Sequence, residues 1–183
     1  DQRGHGDSQW APDGNYSPEI QQRDIHAIVE SLGLDRMVLM GLSMGGRNAF
    51  TYAATRPKRV KALVIVDAAP VNERRGANTI RRFVQGADEL DSVDDFVGRV
   101  RRYNPHRSVA QIRGSIGNNL KQLPSGKWTW KYDKVLRDPD RRPAPSPEQT
   151  RRLWDYLCRL RCPTLLVRGA DSDVVATVTA VAM

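Results

Sequence analysis

Among the residues whose chemistry depends on placement, Ser43 stands out, in the run Gly41-Leu42-Ser43-Met44-Gly45-Gly46. A serine becomes a nucleophile toward an acyl carbon when its hydroxyl is lifted clear of the backbone and a base can take its proton. A G-x-S-x-G pattern alone arises easily by accident, so its surroundings must decide. Here an apolar run, Met37–Met40, leads into it, and a stretch with Ala49, Phe50, Ala53 and Ala54 at helical spacing follows it. That is the strand–turn–helix setting in which a strained turn presents a serine. Gly41 and Gly45 are expected where a side chain would clash as strand and helix close together. The same turn would aim the Met44 N–H at a substrate, and the start of the helix would favour an oxyanion.

The candidate partners are few. The histidines are His5, His26 and His106. His5 sits in a Gly-rich turn, His26 beside Ile25 on a helix, and His106 in the turn-like run Asn-Pro-His-Arg. The two cysteines, Cys158 and Cys162, stand four apart with no His or Cys to complete a zinc site. They read as reduced thiols of a cytoplasmic protein. No metal and no organic cofactor is implied.

Three apolar runs that do not alternate read as strands buried on both faces: Met37–Met40, Ala62–Val66 and Thr164–Val167. Ser17-Pro18-Glu19 marks a helix start, and Gly33 supplies a left-handed stop after Leu32. The helix after Ser43 should run from Met44 to Arg56 and end before Pro57. Helices alternating with strands over short connections give an α/β fold, a parallel sheet with helices on both faces. The third strand comes about 95 residues after the second, too far for a simple connection, so a structured insertion is expected. Ser92 with Asp95 and Ser108 with Gln111 fit capping boxes, and Ser146-Pro147 opens another helix. Residues 138–147 form a Pro-rich linker. The organisation expected is a core over 1–70, an inserted and mainly helical cap over 71–162, and the rest of the core over 163–183.

With these pieces in order the chain resembles the α/β-hydrolase family. Asp1-Gln2-Arg3-Gly4-His5-Gly6-Asp7-Ser8 resembles the D-x-R-G-x-G-x-S loop after the family's fourth strand. Leu39–Gly46 resembles the nucleophile elbow after the fifth, Leu63–Pro70 the sixth strand and its exit, and Cys162–Gly169 the seventh. The resemblance implies that Ser43 is the nucleophile of a serine hydrolase working through an acyl-enzyme, with Met44 in the oxyanion hole. It places the acid just after the seventh strand, where Asp173 is preferred because Ser-Asp-Val-Val resembles that loop in cap-bearing relatives. Asp171 is the first alternative. Asp67, at the end of the sixth strand, is the second, a position used in some branches.

The family's chain order is Ser, acid, His, and no histidine follows Asp173. The resemblance therefore implies that the catalytic histidine, four earlier strands and one later strand lie outside the chain, which begins inside a loop motif. The 183 residues alone are expected to lack hydrolase activity. The expected substrate is a carboxylic ester or lactone. Alternatives are a carbon–carbon bond next to a carbonyl, or a non-catalytic hydrolase-like protein that only binds a small molecule.

The formal charge of +8 is unevenly placed. Residues 71–162 carry 20 Lys and Arg against 11 Asp and Glu, a net of +9, leaving −1 for the remainder. A small-molecule substrate with a preference for anionic esters follows from that field. Lys127-Trp128-Thr129-Trp130-Lys131-Tyr132 interleaves bases and aromatics, but no nucleic-acid recognition module accompanies it, so the aromatics are expected to pack or line a pocket. No apolar run reaches the ~18 residues of a membrane span.

Overall fold

The computed structural model describes residues 1–138 and 145–183. They form two compact units, residues 17–78 with 145–183 and residues 1–16 with 79–138. The expected linker over 138–147 falls largely on residues outside those described.

The first unit is the α/β core. Helix α1 (Pro18–Ser31) starts at Ser17, whose side chain accepts from the Ile20 N–H at 3.4 Å, with Pro18 in the first turn. It ends at Gly33, φ +62, where the Leu34 N–H turns back to the Val29 carbonyl at 3.0 Å. Strand β1 (Met37–Leu42), helix α2 (Met44–Thr55) and strand β2 (Val60–Val66) follow. Strand β6 (Thr164–Val167) completes a parallel sheet of order β1-β2-β6, in register Met40↔Val64 and Val64↔Leu165. All three strands include the predicted runs. Phe50, Tyr52 and Ala53 of α2 pack on Leu63 and Ile65, joined by Val29 of α1 and by Leu153, Tyr156 and Leu157 of helix α6 (Pro147–Cys158). This core lies on one face of the sheet. The opposite face carries exposed Val38, Met40, Leu42, Leu165 and Val167. The expected covering of both faces is thus realised on one face among the described residues.

In the second unit a small antiparallel sheet has the order β3-β5-β4, from β3 (Glu89–Leu90), β4 (Leu120–Gln122) and β5 (Trp128–Trp130). Helix α3 (Arg74–Val84) leads into this unit, and α4 (Val93–Tyr103) and α5 (Val109–Ile116) belong to it. Both predicted capping boxes are present, at Ser92 with Asp95 and Ser108 with Gln111. Phe96, Val97, Ile112, Ile116 and Leu120 form the buried cluster. Trp130 meets Phe96 edge-on at 4.9 Å between ring centroids, so the aromatics expected to pack do pack. A cavity of about 240 Å³ opens beside Trp130, Phe83 and Tyr103, with Asn104 and Arg107 at its polar side.

Two boundaries differ from those drawn on the sequence. Residues 1–16 group with 79–138 rather than with the core. The reason is local: Gly6 N–H donates to Lys131 O at 2.6 Å, Asp133 N–H to Gly4 O at 2.8 Å, and Tyr16 O–H to Asp133 Oδ2 at 2.5 Å. Helix α6, placed in the insertion by sequence, packs its apolar side into the core cluster instead. Among the described residues no helix is long and apolar enough to cross a membrane.

Candidate active site

Every carboxylate and hydroxyl singled out near the strand ends lies in the core unit, at the carboxyl edge of the sheet. Ser43 joins β1 to α2 at φ 52 and ψ −117, a conformation that costs a non-glycine residue of order 1–3 kcal/mol. Packing forces it. A Cβ on Gly41 would lie 2.2 Å from the Gly45 carbonyl oxygen, so only glycine admits the first turn of α2 so close to the strand. Gly46 is the second contact point, since its Cβ would lie 2.7 Å from Ala68 Cβ. Gly46, in the same run, was not singled out from the sequence. Ser43 is exposed, and its side chain makes no capping bond to α2. Met44 is the first residue of that helix, whose leading N–H groups lack intrahelical acceptors.

The neighbouring strand ends at the same level. Leu42 is registered with Val66, and Ser43 N–H donates to Val66 O at 2.8 Å. The residue after Val66 is Asp67, which among the described residues is the other non-glycine at positive φ, 47. Its backbone N–H donates to Val167 O at 2.8 Å, tying it to β6. Ser43 and Asp67 therefore leave adjacent strands side by side, strands being about 4.8 Å apart.

The Asp67 carboxylate has two unlike oxygens. Oδ2 accepts from Ser172 Oγ at 3.0 Å. Oδ1 is buried and has no hydrogen-bond partner among the described residues. Asp171 and Asp173 flank Ser172 and are both exposed. The Asp173 carbonyl accepts from the Gly76 N–H at 3.1 Å, and a Cβ on Gly76 would lie 3.0 Å from Asp173 Oδ1, so this side chain sits against the start of α3.

Two arginines that sequence reasoning passed over hold these loops. Arg47, one turn into α2, donates from Nε to Ala69 O at 2.8 Å and from Nη2 to Asn72 Oδ1 at 2.5 Å. Burial lowers its proton affinity from the ordinary guanidinium value. Arg168 bonds the carbonyls of Gly169, Ala170, Ser172 and Val175, the last from Nε at 2.7 Å. An arginine between an apolar run and a glycine was the available signal for this clamp.

His26 is in the same unit, with Nδ1 3.4 Å from the Tyr52 hydroxyl and Glu30 one turn away. Tyr52 lies nine residues beyond Ser43, about 13 Å along the helix axis, so His26 is not brought to Ser43. His5 and His106 belong to the other unit. His5 forms an isolated bridge with Tyr132, and His106 is exposed.

Comparisons with known proteins agree with this frame. Esterase Rv0045c of Mycobacterium tuberculosis is 31% identical over 178 residues, covering 94% of this chain and 57% of that protein. The sn-1-specific diacylglycerol lipase ABHD11 of Mus musculus is 42% identical over 157 residues, covering 78% of this chain and 50% of that protein. The chain thus spans about half the length of these relatives. A crystal structure of an alpha/beta hydrolase from Novosphingobium aromaticivorans superimposes with a TM-score of 0.83 at 26% identity, over all of this chain and 66% of that one. Residues 1–181 match the alpha/beta hydrolase fold family, and the chain belongs to it.

Proposed function

We propose that the full-length protein is a serine hydrolase of small carboxylic esters, with Ser43 as nucleophile and Asp67 as the acid of its relay. The observation that carries the reading is the pair of strained residues leaving neighbouring strands, Ser43 at φ 52 and Asp67 at φ 47. Strain of this kind persists where the surroundings over-determine a functional geometry. The relatives named for ester and diacylglycerol hydrolysis favour an ester over a carbon–carbon bond as the target.

In this mechanism Ser43 Oγ attacks the carbonyl carbon while a histidine takes its proton. The negative charge that forms on the carbonyl oxygen is met by the Met44 N–H at the start of α2. Collapse breaks the ester bond, and the departing alcohol takes the proton from the imidazolium. Water then attacks the acyl-enzyme by the same route and restores Ser43. By the family's order of serine, acid and histidine, the base is a histidine that follows the acid in the full-length protein. Asp67 is preferred to Asp173 because it is level with Ser43 and keeps Oδ1 buried without a donor, whereas Asp173 is exposed beside α3. An imidazole N–H donating to Oδ1 would hold the ring in the tautomer the reaction needs.

The test is labelling of the full-length protein by a fluorophosphonate together with turnover of p-nitrophenyl acetate. Ser43→Ala should abolish the label and lower kcat by roughly 10³-fold or more. A protein that binds a ligand without catalysis gives no Ser43-dependent turnover. Turnover by Ser43→Ala at the parent rate overturns the assignment.

A further inference from the structure

Ser172 lies between the two aspartates that drew attention in the sequence, and its own side chain is the more informative one. A serine hydroxyl has one proton to donate and two lone pairs to accept with. The Val174 and Val175 N–H groups both donate to Ser172 Oγ, each at 3.2 Å. With both lone pairs engaged, the proton has one place to go. It points to Asp67 Oδ2, 3.0 Å away, an oxygen that can only accept.

The hydroxyl rides on a loop with little freedom. Arg168 gathers four of its carbonyls, Glu73 N–H donates to Val174 O at 2.8 Å, and Gly76 N–H donates to Asp173 O at 3.1 Å. Val175 is fully buried beneath it. The loop after β6 therefore presents a fixed donor to a carboxylate that leaves the neighbouring strand β2.

We infer that Ser172 is a positioning residue for the acid: it anchors Oδ2 of Asp67 and so turns Oδ1 toward the incoming imidazole. The inference rests on the reading of Asp67 as the acid. A carboxylate free to rotate about its Cβ–Cγ bond offers the imidazole either oxygen in several orientations. One pinned by a hydroxyl offers a single oxygen in one direction. This also explains why a loop flanked by two aspartates contributes neither of them to the relay. Its contribution is the hydroxyl between them.

The experiment is a double-mutant cycle on the full-length protein with p-nitrophenyl acetate as substrate, using Ser172→Ala, Asp67→Asn and both together. Ser172→Ala should lower kcat roughly tenfold, the scale of coupling between groups in contact, with KM changed less than about twofold. Ser172→Thr, which keeps the hydroxyl, should recover kcat to within about threefold of the parent. In the Asp67→Asn background the added Ser172→Ala should cost less than about twofold, since the carboxylate it serves is gone. If Ser172→Ala costs the same factor in both backgrounds, or acts through KM, Ser172 only ties its own loop and the inference is overturned. If Asp67→Asn itself keeps parent activity, the reading of the acid fails, and that result is distinct from the first. Should Ser172→Ala fail to fold, Ser172→Cys, close in shape and a weak donor, takes its place in the cycle with the same expected outcomes.

Discussion

A carboxylate oxygen that is buried and has no donor is expensive, costing about 1–3 kcal/mol for a polar group and more when charged. At Asp67 that cost falls on Oδ1 alone, while Oδ2 is satisfied by Ser172. That imbalance supports the proposed role of Asp67 as the acid. The ranking of acids follows: Asp67→Asn should lower kcat on p-nitrophenyl acetate by roughly 10³-fold, as loss of a triad acid does. Asp173→Asn should cost less than about tenfold. The opposite ranking returns the role to Asp173. Ser43 was legible because a glycine-framed serine between an apolar run and a helix is a local pattern. Asp67 stood in the sequence as the second alternative acid, because the resemblance pointed first to the loop after β6, where Asp173 and Asp171 lie. What separates the candidates, positive φ and an unpartnered oxygen, is created by β2 lying between β1 and β6, and no local pattern encodes it.

Secondary elements of both units were readable wherever their signals are local. Ser17-Pro18 and Gly33 bracket α1, and Ser92, Ser108 and Ser146 each open a helix with a reciprocal capping box. The small sheet of the other unit was not, because its strands are two or three residues long and β3 pairs with a partner almost 40 positions away. Within the elbow, β1 and α2 meet on backbone atoms, so glycine positions there differ sharply in what they tolerate. Gly41→Ala should destabilise by about 3 kcal/mol or more, because its Cβ meets backbone that cannot move aside. Gly33→Ala faces open space and only the positive φ, so about 1 kcal/mol is expected. Thermal unfolding of the two variants checks the order, and equal losses would remove the elbow's special role. Tyr132, in the isolated bridge with His5, gives a pH test. Burial pushes its phenol up to about 12 from 10.0, so the folded state prefers the neutral ring. Its contribution is fully present below pH 10 and is lost as the pH rises toward 12, where the unfolded chain ionises first. Tyr16 is raised by burial as well, and its bond to Asp133 adds to this. Tyr132→Phe should therefore lose less of its melting temperature than the parent between about pH 9 and 11. An unchanged alkaline loss would show that the ring is not held neutral by the fold.

At the scale of the whole chain the decisive feature is the sheet face opposite α1, α2 and α6. Parallel register places Val38 beside Ala62, Met40 beside Val64 and Leu42 beside Val66, then Val64 beside Leu165 and Val66 beside Val167. Neighbours in register project to the same side, so these eight apolar residues form one continuous surface. It is open: Val38 is 62% exposed, Met40 67%, Leu42 63% and Leu165 57%. The strand sequences show no polar alternation, which in a parallel sheet means that both faces are suited to burial. The inner face is buried by helices within the described residues, and the outer one meets solvent. Among the described residues β1 also presents an unpaired backbone edge, being at the end of the order β1-β2-β6. An apolar face beside an open strand edge is a template for association. Residues 1–183 produced alone should therefore bind a hydrophobic dye strongly and shift to larger species in gel filtration as concentration rises. Met40→Lys with Leu165→Glu places opposite charges on this face without touching the inner core, and should reduce both effects while leaving the far-ultraviolet circular dichroism unchanged. The net charge of +9 on residues 71–162 works against association, so added salt should strengthen it by screening that repulsion. A dye-silent monomer at all concentrations and salt levels would mean that the outer face is covered in solution.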